Sequence, residues 1–385
     1  MCSVGELFGG VERHVLGMCT YLKRRMGVSP VLVLFHDREL AAQARGMGLS
    51  PIVLSARHRY DPALAQQLAR VARAEHLDVV HAHGYKAVIA SALAQVRLAA
   101  SRPFQARGTY RGFAIIKTEH GRAEPAGGRP VAWIKSRTNR ALELGATRRS
   151  VSAVAYVTAD IAHHYERAHC GLRRQVVYNG IEPLEPARYP RPADLEGGLV
   201  HLGIVGRLTE VKGIPVALQA LASPNVPTTV RLNIIGTGPQ ESALRGQACA
   251  QGLGDRVRFI GFRNDVYRYL AHLDALLMPS LQEGLPYTLL EAMSLGIPVV
   301  GSRVGGLAEV LRHNETGLLV DVGDVRGLRD AIIRIVSQPA VAREIGAAGA
   351  VMQRQRYTLV TMGDSYWNLY RTAAMRIPSD VVDEH

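Results

Sequence analysis

Short apolar runs alternate with amphipathic helical patterns along the whole chain. In the first part, strands are predicted at 30–35, 51–54, 78–82, 114–118, 151–158 and 175–178, separated by helical patterns such as 11–26, 62–76 and 85–96. The second part repeats the alternation, with strands predicted at 201–205, 229–235, 257–260 and 275–278. Regular strand–helix units of this length favour parallel sheets with right-handed crossovers. The pattern therefore predicts an α/β protein with doubly wound sheets.

The domain boundaries follow from a break in this pattern. Residues 182–198 contain four prolines and little hydrophobic periodicity, which is typical of a linker. We predict a first domain at 1–181, a second at 199–361, and a closing helix and tail at 362–385 that crosses back to the first domain. A Rossmann-like domain should begin with a buried strand, but only Met1–Phe8 precedes the first glycine-rich turn. We therefore expect a missing first strand or a start upstream, with MCSVGELFGG as the tail of a strand and its loop.

Composition excludes several classes of protein. The chain has 385 residues, of which 47% are hydrophobic and 21% charged. No apolar run approaches the roughly 18 residues of a membrane span, and no signal peptide is recognisable. The four cysteines lack C-x-x-C spacing, so they predict reduced thiols in a cytoplasmic protein rather than disulfides or a zinc site.

The most informative segment is MPSLQEGLPYTLLEAMSLGIPVVGSRVGG, which starts at Met278. An apolar strand stops at a polar loop carrying Glu283, and Pro286 opens a helical pattern that holds Glu291. A helix start presents unpaired N–H groups and binds anions readily. Carboxylates beside such a site suit vicinal sugar or ribose hydroxyls, because each oxygen accepts hydrogen bonds.

The spacing Glu283-x7-Glu291 within EGLPYTLLEAMSLGIPVV resembles the signature of the retaining GT-B glycosyltransferases, specifically glycosyltransferase family 4. The pattern Gly206-Arg207-Leu208, followed after a short gap by Lys212-Gly213, matches the same family. The resemblance implies a GT-B fold, in which two Rossmann-like doubly wound domains face a cleft. It also implies that the second domain binds a nucleotide diphosphate sugar.

The resemblance assigns a role to each candidate site residue. Arg207 and Lys212 would hold the diphosphate, which suits a forked guanidinium and a mobile ammonium. Glu283 would bind donor-sugar hydroxyls, and Glu291 the ribose hydroxyls. His120, in Glu119-His120-Gly121, would contact the donor sugar and help to stabilise charge in the transition state. The remaining donor-binding positions are backbone contacts at Gly9 and Gly10 (diphosphate), Gly261 and Phe262 (base), and Gly284, Leu285 and Pro286 (sugar and phosphate).

Two further histidines end a predicted strand in the sequence HAHG. His81 and His83 either point to the ligand site beyond the strand ends or form a hydrogen-bonded structural pair. Their i, i+2 spacing, with no nearby cysteine or third ligand, does not favour a metal site.

The formal charge of +13 is concentrated at Arg97–Arg149, where twelve Lys and Arg stand against three Glu, with aromatic residues between them. Such a segment could dock on an anionic membrane or hold a pyrophosphate-linked lipid acceptor. It could equally be a solvated basic face, and an arginine-favouring genome would give the same excess charge. Nucleic acid is not expected as a partner, since no binding module is recognisable.

The reaction implied by the resemblance is transfer of a sugar from a nucleotide diphosphate sugar to a glycan or polyprenyl-linked acceptor, with retention at the anomeric carbon. No Asp-x-Asp motif occurs, so neither a metal nor another cofactor is expected. Cell-surface polysaccharide or glycolipid assembly, on the inner face of the cytoplasmic membrane, is the expected setting. Two alternatives stay open: a sugar-nucleotide epimerase or hydrolase of the same architecture, and a non-catalytic GT-B binding protein.

Overall fold

The computed structural model describes residues 1–5, 9–55, 61–100, 112–122, 130–195 and 197–375, with side chains at 130–136 excepted. The chain forms two compact units. The first comprises Met1–Tyr178 together with the segment from Leu359 onward, and the second comprises Asn179–Thr358.

The first unit is a parallel sheet flanked by helices. Its elements are β1 (Cys2–Ser3), α1 (Gly10–Arg25), β2 (Val33–Leu34), α2 (Glu39–Gly46), β3 (Ile52–Val53), α3 (Ala63–Ala74), β4 (Val79–His83), α4 (Tyr85–Ala100), β5 (Ala114–Glu119), α5 (Pro130–Ser150), β6 (Val151–Tyr156), α6 (Ala159–His164) and β7 (Arg173–Val176). Within the described residues the strand order is β3-β2-β1-β4-β5-β6-β7. Each pairing is parallel, as the strand–helix alternation predicts.

The expectation of a missing first strand is corrected by β1. Cys2 and Ser3 pair with Val33 and Leu34 on one side and with Ala82 and His83 on the other. The strand is short but central, and both of its side chains are buried. MCSVGELFGG therefore contributes a strand, in line with its expected character as the tail of a strand and its loop.

The second unit has the same plan. Its elements are β8 (Val200–Val205), α7 (Ile214–Leu221), β9 (Val230–Ile235), α8 (Glu241–Ala250), β10 (Val257–Gly261), α9 (Val266–Leu270), β11 (Ala275–Met278), α10 (Tyr287–Ser294), β12 (Val299–Ser302), α11 (Gly305–Val310), β13 (Leu318–Val320), α12 (Val325–Ser337) and α13 (Pro339–Arg356). The strand order is β10-β9-β8-β11-β12-β13, again with parallel pairs throughout what the structure describes.

The proline-rich segment predicted as a linker packs on the second unit. Leu195 is buried in an apolar cluster with Ile235, Val266 and Tyr269. The backbone N–H of Leu184 donates to the Ser294 hydroxyl at 2.8 Å.

The last helix, α14 (Leu359–Ala374), returns to the first unit. Its apolar side shares one core cluster with α1, β5 and β6, in which Met362 and Tyr366 pack with Tyr21 and Ile116. This is the packing expected for the closing helix. Over the part of the chain that the structure describes, no helix has the length and apolar character needed to cross a membrane.

Candidate active site

Each sheet reverses its strand order at one place. In the first unit the chain winds outward from β1 in one direction and from β4 in the other, and in the second unit the reversal lies between β8 and β11. In open α/β sheets, ligands bind beyond the carboxyl ends of the strands at such switch points. Lys212 and Glu283 follow β8 and β11 at the switch point of the second unit, and Gly9 and Gly10 follow β1 at that of the first.

At the switch point of the second unit, glycines bring the loops after neighbouring strands into contact. Gly213 has φ of 60°, and a Cβ there would lie 1.9 Å from the carbonyl oxygen of Pro279. A Cβ at Gly236, after β9, would likewise lie 1.9 Å from the carbonyl oxygen of Gly206. Only glycine allows these backbones to approach so closely. The loop that carries Lys212 is thereby fixed against the loop that carries Glu283.

Lys212 and Glu283 form an ion pair across this switch point. The Lys212 Nζ lies 2.5 Å from Oε1 of Glu283, and the Ser280 hydroxyl donates to the same oxygen at 2.8 Å. The two charged side chains are 22% and 9% exposed, so both are reachable from solvent. An ammonium and a carboxylate at one switch point can bind a phosphate and a sugar hydroxyl side by side.

The loop after Glu283 is held from two sides. The Gly306 N–H donates to the Gly284 carbonyl at 2.9 Å, and a Cβ at Gly305 would lie 2.0 Å from the Glu283 carbonyl oxygen. The Asn179 side-chain amide donates to the Leu285 carbonyl at 2.7 Å. Backbone groups at Gly284 and Leu285 are therefore preorganised where the resemblance expects backbone contacts.

Glu291 is buried within α10, whose N-cap is Pro286. It lies one turn after Tyr287, the first residue of the helix. The Tyr267 hydroxyl donates to Oε1 of Glu291 at 3.0 Å. A hydrogen-bonded carboxylate at this depth has a fixed orientation, as recognition of a hydroxyl pair requires.

The other donor-site candidates of this unit lie at the ends of β8 and β10. The Arg207 guanidinium is exposed and makes no ion pair with any residue the structure describes. Gly261 ends β10 with φ of 78°, and its carbonyl accepts from the Gly236 N–H at 2.8 Å. The Phe262 ring is 59% exposed. An exposed aromatic ring beside a glycine turn can contact a nucleobase.

At the switch point of the first unit, α1 begins at Gly10 with Gly9 as its N-cap. The Gly9 N–H donates to a carboxylate oxygen of Glu12 at 3.0 Å, which closes the helix start. Burial raises the pKa of Glu12.

His120 follows β5 in the same unit and joins a histidine cluster, which we define as His14, His81, His83 and His120. Nε2 of His120 lies 3.0 Å from Nδ1 of His83. Burial, with the neighbouring imidazoles, lowers the pKa of His81, His83 and His120 well below the usual value. These rings are therefore neutral near pH 7.

The two histidines of HAHG have different surroundings. His81 is hydrogen-bonded at both nitrogens, with the Tyr370 hydroxyl 2.6 Å from Nδ1 and the Thr118 hydroxyl 2.7 Å from Nε2. It is the structural histidine of the pair. His83 instead points towards His120.

Ligand nitrogens of His14, His81 and His83 lie within 4.8 Å of one another, which sequence spacing did not suggest. A metal ion there would have to displace a hydroxyl from His81, and zinc–imidazole bonds of about 2.0–2.1 Å need ligand nitrogens that face one point. The hydrogen bonds of His81 make the cluster a polar network rather than a ready ligand set.

The basic segment Arg97–Arg149 divides in the structure. Lys117 is 3% exposed and pairs with Glu119 and Glu143 at 2.5 and 2.8 Å, so it belongs to the interior and not to a basic face. Burial alone would lower its pKa, but these two carboxylates raise it overall. On α5, by contrast, four arginines are exposed: Arg137, Arg140, Arg148 and Arg149. Positions 101–111 and 123–129 of the segment lie outside the described residues.

Two family models match adjoining parts of the chain. The model described as "Glycosyltransferase Family 4" matches residues 8–183, and the model described as "Glycosyl transferases group 1" matches residues 200–338. The chain belongs to the group 1, family 4 glycosyltransferases. The residues between the two matches, 184–199, cover most of the proline-rich segment.

Curated relatives of this glycosyltransferase carry the same class of activity. N-acetyl-alpha-D-glucosaminyl L-malate synthase of Bacillus anthracis is 27% identical over 323 residues, 81% of this chain and 79% of that protein. The lipopolysaccharide core biosynthesis glycosyltransferase LpsD of Rhizobium meliloti is 32% identical over 188 residues, 49% of this chain and 53% of that protein. The chain is therefore an enzyme, a glycosyltransferase of the hexosyltransferase type.

Solved structures confirm the fold. Anabaena HepE in complex with UDP-glucose superposes with a TM-score of 0.78 over 96% of this glycosyltransferase and 98% of that chain, at 22% identity. At this identity the likeness concerns the fold alone. With two parallel-sheet units, it confirms the GT-B fold class.

Several residues of the two sites were not found from the sequence. Ser280 and Tyr267 support Glu283 and Glu291. His14 belongs to the histidine cluster, and Thr118 and Tyr366 contact the cluster through His81 and His14. The i, i+4 spacing of Tyr366 and Tyr370 on one helical face was the available signal, but by itself it indicates a core stripe.

Proposed function

We propose that this glycosyltransferase transfers a hexosyl group from a nucleoside diphosphate sugar, with a uridine nucleotide as the first candidate, to an acceptor hydroxyl. The observation that carries the proposal is the Lys212–Glu283 ion pair at the switch point of the second unit. Binding of UDP-glucose by Anabaena HepE, which shares the fold, supports the choice of donor.

The roles follow from the charges and positions. Lys212 and Arg207 bind the diphosphate, and the backbone N–H groups at Gly284, Leu285 and the start of α10 stabilise the charge that grows on it. Glu291 binds the ribose hydroxyls. These groups can neutralise the leaving diphosphate without a divalent ion, so we propose a metal-independent reaction.

Glu283 acts as a hydroxyl acceptor in this scheme. Its Oε1 is occupied by Lys212 and Ser280, whereas its Oε2 accepts no hydrogen bond from the described residues. An anchored carboxylate with one open oxygen suits a sugar hydroxyl. We therefore propose retention through front-face substitution, in which a leaving phosphate oxygen takes the acceptor proton and the protein supplies positioning and electrostatic stabilisation.

Family membership supports the first-unit assignments. Gly9 and Gly10 are proposed to approach the diphosphate, and His120 to contact the donor sugar. The lowered pKa of His120 makes it a neutral hydrogen-bonding group in this role.

The acceptor is proposed to be a glycan or lipid-linked glycan of a cell-surface polysaccharide. Relatives named for lipopolysaccharide core and amylovoran biosynthesis support this class. The exposed arginines of α5, with the exposed Leu142 between them, suit the surface of an anionic membrane. We therefore place the enzyme at the cytoplasmic membrane face.

The test is donor consumption with a panel of nucleotide sugars, each with and without a lipid-linked acceptor fraction and with and without EDTA. The expected result is acceptor-dependent release of nucleoside diphosphate that EDTA leaves unchanged, with the α-anomer of the donor kept in the product. Donor loss without any acceptor would favour the hydrolase or epimerase alternative. No consumption together with tight donor binding would favour the non-catalytic one.

A further inference from the structure

The contact between His83 and His120 points to a role for His83 that the family assignment does not include. His83 comes from the end of β4 and His120 from the loop after β5, and these strands are neighbours in the sheet. Only 1% of His83 is exposed, and one of its nitrogens lies 3.0 Å from Nε2 of His120. A hydrogen bond of this kind fixes which nitrogen of each ring carries the proton.

The direction of the bond follows from the second nitrogen of His83. Nε2 of His83 is buried and has no hydrogen-bond partner among the residues that the structure describes. A proton on that nitrogen would be a buried donor without an acceptor, and orphaned buried donors are rarer in proteins than unused acceptors. The neutral His83 ring therefore carries its proton on Nδ1, the atom that faces His120.

The consequence passes to His120. Because its Nε2 accepts the proton from His83, a neutral His120 must carry its own proton on Nδ1. Within the described residues, Nδ1 of His120 makes no hydrogen bond. The ring then offers an N–H donor on its open side.

We propose that His83 is a positioning residue, whose Nδ1–H holds His120 in the tautomer that presents an Nδ1–H donor to an oxygen of the bound donor substrate. This inference rests on the proposed function for the role of His120 in transfer, but the tautomer itself does not. The lowered pKa values of both rings support this tautomer. When both rings are neutral, only one of the two nitrogens at their contact carries a proton.

The surroundings keep the pair in place. The His81 ring lies against His83 with centroids 4.1 Å apart and is itself locked between the hydroxyls of Tyr370 and Thr118. The His14 ring meets His120 edge-on at 4.9 Å. Rings packed in this way cannot flip freely, so the tautomer is set by fixed partners.

The tautomer is measured directly by long-range ¹H–¹⁵N correlation of ring nitrogens in the full chain labelled with ¹⁵N-histidine. Loss of one spin system in His120→Ala assigns the signal. The expected spectrum shows a protonated Nδ1 and an unprotonated Nε2 for His120. A protonated Nε2 in the unsubstituted protein would overturn the proposal without any further variant.

A matched pair of variants tests the positioning role. Leu and Asn have the same shape, but only Asn at position 83 can donate a hydrogen bond towards Nε2 of His120. We expect His83→Leu to lose the single tautomer and to lower kcat by about 10- to 100-fold, less than the ~10²–10³-fold typical of removing a transition-state donor outright. The KM for the donor should change little, and His83→Asn should restore most of kcat and the spectrum.

Two outcomes count against the role. Equal losses of kcat in the Leu and Asn variants, with equal melting temperatures, would show that His83 only fills space. Normal transfer by His120→Ala would remove His120 from the proposed function and with it the catalytic part of this inference, while the spectrum still decides the tautomer.

Discussion

The Lys212–Glu283 ion pair makes opposite predictions for its two partners. In the structure the ammonium lies 2.5 Å from the carboxylate, at the place proposed for the donor diphosphate. A bound diphosphate must therefore compete with Glu283 for Lys212. We predict that Lys212→Met weakens binding of UDP, whereas Glu283→Gln leaves it unchanged or tightens it.

The magnitudes follow from the kind of contact. A hydrogen bond to a charged group contributes roughly 1.5–3 kcal/mol, and each 1.4 kcal/mol is about tenfold in Kd. Lys212 is 22% exposed, so solvent screening places the free energy of its contact with the diphosphate towards the lower end of this range. The expected loss for Lys212→Met is about 10- to 30-fold in Kd, and the gain for Glu283→Gln is at most about tenfold.

Isothermal titration with UDP measures both effects, and Lys23→Met is the matched control. Lys23 is an exposed lysine of the first unit that donates to the Gly48 carbonyl, so its removal changes net charge but not the proposed site. The double variant should bind UDP like Lys212→Met, since Glu283 acts on the diphosphate through Lys212. If Glu283→Gln weakens UDP binding as much as Lys212→Met does, the competition between the Glu283 carboxylate and the diphosphate for Lys212 is refuted.

Three further predictions follow from other contacts. Tyr267→Phe removes the hydrogen bond that orients Glu291, so the preference for UDP over 2′-deoxy-UDP should fall in competitive titration. The expected fall is roughly three- to tenfold, because a hydrogen bond has a net contribution of ~1 kcal/mol. An unchanged preference would contradict this prediction. Gly213→Ala introduces a Cβ 1.9 Å from a carbonyl oxygen at a residue with φ of 60°. We expect it to lower the free energy of unfolding, measured with denaturant, by about 1–3 kcal/mol. The control Gly246→Ala, where a Cβ has open space, should not destabilise the protein. The folded-state pKa values of His81 and His83 are depressed, so the unfolded chain binds more protons than the folded chain below pH 6.5. The free energy of unfolding should therefore fall by roughly 1 kcal/mol per pH unit for each ring as the pH drops below that value. A free energy of unfolding that stays constant between pH 6.5 and 5 would contradict this.

Much of the fold could be predicted because parallel strands buried on both faces leave a strong local signal. The strand predicted at 275–278 is observed at Ala275–Met278, and that at 114–118 extends by a single residue. By contrast, α5 was not predicted. Its residues 130–150 are rich in arginine and lack a clear apolar stripe, so their helical state depends on packing that the sequence pattern does not show. β1 was recognised only as the tail of a strand because it has just two residues. Its position in the sheet comes from pairing with β2 and β4, which are distant in sequence.

The site was predictable only where a local motif carries it. Glu283 and Glu291 lie in one continuous segment, and Lys212 follows a recognisable glycine pattern. Their supports come from elsewhere in the chain. Tyr267 reaches Glu291 from another helix, and the hydroxyls of Thr118 and Tyr366 meet at 2.9 Å across 248 positions of sequence. Such contacts depend on the order of the strands in the sheet and on the return of α14 to the first unit. Neither leaves a local pattern in the sequence.

The donor site of the second unit is best tested by a thermal-shift panel of UDP, GDP, ADP and their sugars, run on the unsubstituted enzyme and on Lys212→Met. A ligand at a hundred times its Kd stabilises the native state by about 2.7 kcal/mol, enough for a clear rise in Tm. We expect one nucleotide to raise Tm and the rise to be smaller in Lys212→Met. A panel with no shift, or a shift that Lys212→Met leaves untouched, would contradict a donor site at the switch point of the second unit.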